Sequence, residues 1–127
     1  MIELTNRRLG PGSQLSLAQD VVAEMLREVA AAARPAATAR WEHELVRWLE
    51  ERAQQPISLD VGDLAWTPEH FETQRKFVVD AIHRALDTAR CEAVVVDLLR
   101  RWMVMIAAHP RDSVKAGRRW PQHLASV

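Results

Sequence analysis

Residues 93–108 read AVVVDLLRRWMVMIAA, and whether this run is a strand or a helix decides the fold class. By propensity the Val94-Val95-Val96 start suits a strand. Projection argues the other way. With about 100° between successive residues, Arg90, Asp97, Arg100 and Arg101 gather on one side of a helix and Val95, Leu99, Trp102 and Ile106 on the other. A strand would scatter those charges over both faces. The segment therefore predicts a fourth helix, stopped by His109-Pro110, since the residue before a proline is pushed out of helical conformation.

Working back toward the N-terminus, Thr67-Pro68-Glu69 joins a capping residue, a proline at a first helical position and a first-turn acid. A third helix is expected to start there and to run through Phe71, Val78, Ile82, Ala85, Leu86 and Ala89. Residues 37–54 predict a second helix, with Trp41, Leu45, Trp48 and Leu49 on one stripe, closed by Pro56. Residues 16–34 predict the first, carrying Ala18, Val22, Met25, Leu26, Val29 and Ala33, and Pro35 ends it. Between helices two and three, residues 57–66 alternate but contain Gly62, Asp60 and Asp63, which reads as an extended loop with anchoring side chains or as a short hairpin. Gly10-Pro11-Gly12-Ser13 separates an N-terminal arm, residues 1–15, from the helical part. Residues 109–127 form a polar C-terminal tail. The expected fold is all-α: one domain, a bundle of about four helices over residues 16–108, with a long loop between the second and third and the tail behind.

The 127 residues carry 17 Lys and Arg against 17 Asp and Glu, so no overall field steers the chain to nucleic acid or anionic lipid. A lone cysteine, Cys91, excludes a disulfide within the chain and any multi-cysteine metal site. It reads as a half-buried structural thiol. The first eight residues lack the apolar run of a secretory signal, and residues 93–108 are too short and too charged to span a bilayer. A cytoplasmic location, of a bacterial type of small protein, is the expectation, with no membrane contact.

Catalytic signatures are missing: there is no G-x-S-x-G, no H-E-x-x-H, no P-loop and no dinucleotide fingerprint. Asp80 and His83 have a ligand-like spacing but project onto a charged face beside Lys76 and Asp87, and Glu42-His43-Glu44 splays around its helix. No metal or cofactor is expected. More telling is helix three, where Gln74 and Arg75 fall inside the apolar sector on either side of the line from Phe71 to Val78. An unpaired guanidinium there costs several kcal/mol, so Arg75 must pair, reach solvent or line a cleft. Glu42 lies inside the stripe of helix two, also in a first turn. If the two helices run parallel, Glu42 and Arg75 either pair or build a polar pocket with Trp66, His70 and Gln74. The alternative, that the bundle end is simply wet, needs no site at all.

Two further features concern partners. Arg111, Lys115, Arg118 and Arg119 recur at helical spacing and precede Trp120, a possible basic contact for phosphate, though Gly117, Pro121 and Asp112 weaken it. Trp41, Trp48 and Trp102 belong to core stripes, whereas Trp66 and Trp120 lie in non-helical segments, where tryptophan serves well as a binding anchor. The leading expectation is a protein-interaction module, of accessory, adaptor or toxin-neutralising type, binding a protein or a second copy of itself around Trp66 and the start of helix three. The alternatives are a small-ligand binder or enzyme holding an anion at His70, Gln74 and Arg75, and weak nucleic-acid binding through the basic run.

Overall fold

The computed structural model describes residues 2–9, 14–64, 66–88 and 92–109. Four α-helices occupy most of these: α1 (Gln19–Ala33), α2 (Arg40–Gln54), α3 (Phe71–Thr88) and α4 (Ala93–Ala107). α1 is the central element. It packs against α2, α3 and α4, and α3 also packs against α4. Its apolar positions Val22, Met25, Leu26 and Val29 are fully buried, as the 3.6-residue period requires of a helix with neighbours along its inner side. From α4, Val95, Leu99, Trp102 and Ile106 all enter the core, so the valine run is helical and the projection onto one face holds. Among the described residues no helix is long and apolar enough to cross a membrane.

The all-α expectation needs correcting, because the N-terminal arm and the loop before α3 combine into a small sheet of order β2-β1-β3. β1 (Ile2–Thr5) pairs antiparallel with β2 (Gln14–Leu17), Ile2 opposite Leu17 and Leu4 opposite Leu15. β3 (Leu59–Asp60) lies parallel to β1 on its other side, with Leu4 opposite Leu59. The physical signal is period-two burial: Ile2 and Leu4 point into the core while Glu3 faces out. Strands of four residues are too short for such alternation to stand out against a neighbouring helix. Ser16 and Leu17, expected in the first turn of helix one, therefore belong to β2, and α1 begins at Gln19. The segment 57–66 is neither a plain loop nor a hairpin. It contributes β3 and then a single 3-10 turn, Val61–Asp63, started by Asp60, whose carboxylate accepts the Gly62 N–H. α3 starts at Phe71, after a turn over residues 68–70, slightly later than the 67–69 signal predicts.

Candidate functional site

A helix leaves its last four carbonyls without partners from its own chain of bonds, and negative partial charge collects there. At the end of α4 all four are satisfied. Val104 O accepts the Ala108 N–H and Ile106 O the His109 N–H, which closes the last turn locally. Met105 O accepts Asn6 Nδ2 at 3.0 Å. Ala107 O accepts Arg75 Nη1 at 2.6 Å, and Arg75 Nη2 donates to the carbonyl of His109 at 2.8 Å. Arg75 thus brings its positive charge to the negative end of a helix, with its guanidinium 4.5 Å above the Phe71 ring and Glu72 Oε1 at 3.7 Å from Nε. Arg84 does the same for α1, donating from Nε to Ala32 O at 3.2 Å.

Around this junction lies a buried polar group formed mostly by residues that sequence reasoning missed. Asn6 is fully buried, and because its amide nitrogen is committed to Met105, its Oδ1 faces His109 Nδ1 at 3.3 Å. This assigns the hydrogen to Nδ1 of His109. The His109 ring lies 5.7 Å from Trp66, nearly parallel to it, and 6.1 Å from Phe71. Burial lowers its pKa from the ordinary histidine value; the Asp60 carboxylate pulls it back up, and Arg75 and Arg8 push it further down.

Asp60 is the second charged member. Burial alone would raise its pKa, but the Thr5 hydroxyl at 2.7 Å, the Arg7 and Gly62 N–H groups and the Arg7 charge outweigh that and hold it below the usual carboxylate range. A Cβ at Gly62 would stand 2.9 Å from Asp60 Oδ2 and 3.9 Å from His109 Cε1, so the absence of a side chain there lets the turn, the carboxylate and the ring share one space.

The residues singled out from the sequence take varied places. Trp66 is half-buried, its ring 5.0 Å from Phe71 and its indole N–H donating to Val61 O at 2.8 Å. Gln74 is buried and accepts the Thr67 N–H at 2.9 Å, which ties the approach to α3 to the helix itself. His70 is exposed, and its ring stacks on Trp41, which also meets Phe77 edge-on. The starts of α2 and α3 therefore lie side by side. Glu42 and Arg75 nevertheless do not pair. Glu42 Oε1 accepts the Thr38 N–H, the Thr38 hydroxyl and the Ala39 N–H, capping its own helix, and these bonds, led by that from Thr38, lower its pKa. The basic residues Arg111, Lys115, Arg118 and Arg119, Trp120 and also Cys91 lie outside the described residues.

Two cavities lie elsewhere. One of about 620 Å³ sits between α1 and α2, lined by Arg27, Glu28, Arg34, Glu50 and an alanine floor. The other, about 320 Å³, lies where α1 and α4 begin, lined by Asp20, Glu24, Arg27 and Glu92 around Val94. Neither is bordered by Trp66, His70, Gln74 or Arg75. Among the described residues no three His, Cys, Asp or Glu side chains are grouped so as to hold a metal ion.

No family model, curated protein or solved structure matches this chain.

What would have revealed the missed residues is hard to find in one dimension. His109 reads as a helix stop because Pro110 follows it, and Asn6 reads as part of an arm. Asp60 alone had a local signal, the aspartate two residues before a glycine that favours a turn.

Proposed function

We propose that the chain is a small protein-interaction module of the accessory, adaptor or toxin-neutralising kind, with its contact face at Trp66 and the start of α3. The observation that carries this reading is the mounting of Trp66. Its ring is backed by Phe71 and His109 and its N–H is satisfied by Val61, so the half of it that meets solvent is presented in a fixed position. A pre-positioned tryptophan loses little freedom on binding, which is what makes such residues effective anchors. The Gln74 bond to Thr67 stiffens the neighbouring backbone, and His70, Glu69 and Glu72 supply a polar rim. The small-ligand reading has less to draw on: each terminal nitrogen of Arg75 already donates to a main-chain carbonyl, which fixes the guanidinium at the end of α4.

The test is a photo-crosslinking residue placed at exposed position 70 in the source cells, with a control at exposed position 87 near the far end of α3. The reading expects one discrete heavier product from position 70, whether with another protein or a second copy. That product is absent from position 87 and falls at least about tenfold in Trp66→Ala, as for an anchor residue, in samples whose circular dichroism is unchanged. A product equally strong from position 87, no product from position 70, or one indifferent to the tryptophan overturns it.

A further inference from the structure

His109 is the only histidine that the fold buries among the described residues; His43, His70 and His83 are all exposed. Its surroundings are unusual for a group that titrates near neutrality. The ring fills a slot bordered by Trp66 and Phe71, which also touch each other, and its Nδ1 hydrogen points to the buried Asn6 amide. Its own carbonyl and amide are both in use, the first by Arg75 and the second by Ile106. The charged groups that face it come from three elements: Asp60 from β3, Arg75 from α3 and Arg8 from the turn after β1. Among the described residues, one anion and two cations face the ring.

A proton added at Nε2 makes the ring a cation in that slot. The Nδ1 contact to Asn6 survives, since both forms donate from Nδ1, so the hydrogen bond is not what fails. What changes is solvation: a buried imidazolium must draw water in or move out. Moving out takes away one of the two rings that back Trp66, leaving Phe71 and the indole bond to Val61 O to hold it. It also gives up the contact from Nδ1 to Asn6 Oδ1, while the bonds from Asn6 and Arg75 to main-chain carbonyls at the end of α4 stay in place.

We propose that His109 is a pH-responsive latch beneath the Trp66 face: while the ring is neutral it seats Trp66 against the end of α4, and when protonated it leaves the slot and loosens Trp66. That this regulates binding rests on the reading of Trp66 as the contact face; the latch itself is a property of the free chain and is tested there. Its sensitivity comes from placement, because the same residue supports an aromatic ring on one side and a helix terminus on the other.

The experiment is an NMR titration of the free chain from about pH 7.5 to about pH 5, the range in which histidines change charge. It follows the His109 ring signals and the Trp66 indole N–H, with circular dichroism on the same samples. The expected result is that both report one transition, with a midpoint below the ordinary histidine value, while helix content is retained. Arg8→Glu replaces an exposed cation by an anion, so it moves the joint midpoint upward. His109→Asn keeps a donor toward Asn6 but cannot titrate, and the Trp66 transition disappears. The proposal is overturned if Trp66 stays still while His109 titrates, if the Trp66 transition survives in His109→Asn, or if helix content is lost at the same pH. Failure of the crosslinking experiment at neutral pH would sink the binding face and leave the latch standing. The titration can fail while the crosslink persists.

Discussion

Arg75 donates to Ala107 O and His109 O, and Asn6 donates to Met105 O while accepting from His109 Nδ1, so two polar side chains from elsewhere in the fold fasten the end of α4. Removing Asn6 leaves a buried acceptor and a buried donor unmet, each at a cost of about 1–3 kcal/mol, whereas the Ala107 carbonyl that Arg75 would release is open to water. Asn6→Ala exposes two such vacancies, on Met105 O and on the His109 ring, and is expected to cost about 3 kcal/mol in a urea melt. Arg75→Lys is expected to recover only part of what Arg75→Ala loses, because an ammonium on a flexible stem cannot hold both carbonyls in the planar fork. Gly62→Ala is predicted to destabilise by about 1–3 kcal/mol, since the new methyl group meets an Asp60 carboxylate that three donors hold in place. Of these residues Arg75 was visible in the sequence as a cation in an apolar stripe. Its partners were not, because a main-chain carbonyl carries no sequence signature.

At the level of the elements, α2 shows how a misplaced polar group can be a local device. Glu42 lies at the third position of the helix and reaches back to Thr38 and Ala39, half of a capping box whose other half an alanine cannot supply. Glu42→Ala is expected to cost about 1 kcal/mol and to lower Tm by a few degrees. Its folded-state pKa is depressed, so this contribution is fully present above the ordinary carboxylate range and fades as pH falls through it. The strands show the converse. Ile2-x-Leu4 and Leu15-x-Leu17 do alternate, but over too few residues to outweigh the helical period that begins at Val22, and only their mutual pairing turns two short alternations into a sheet.

For the whole molecule, the sheet packs into the same core as the helices through Ile2, Leu4 and Leu59. Leu4→Ala, at a residue with no solvent exposure, is expected to cost about 3 kcal/mol. That is a large share of the stability of a domain this size, and hydrogen exchange should report it at the end of α4 as well as in β1. Acid should act in two stages. His109 has a depressed folded-state pKa, so the stability from keeping it neutral is complete above the ordinary value of about 6.5 and is lost as pH falls below that. Asp60 and Glu42, also depressed but in the carboxylate range, lose theirs only at lower pH, and a melting series in buffers of falling pH should show the earlier step vanish in His109→Asn.

The sequence by itself determined the four helices and the faces they bury, because apolar residues recurring every 3.6 positions, with prolines and a capping signal between them, leave a local record of which side meets the core. It also marked Trp66, Gln74 and Arg75 as out of the ordinary for their segments. Only the tertiary structure decided that the N-terminal arm is a strand, that Arg75 finishes α4 and does not meet Glu42, and that Asn6, Asp60 and His109 share one buried space. Asn6 meets His109 across 103 positions of chain and Arg75 meets the His109 carbonyl across 34. Periodicity reports what a residue does within its own element, whereas a hydrogen bond between elements depends on how those elements are stacked, and that is set by the packing of the whole core.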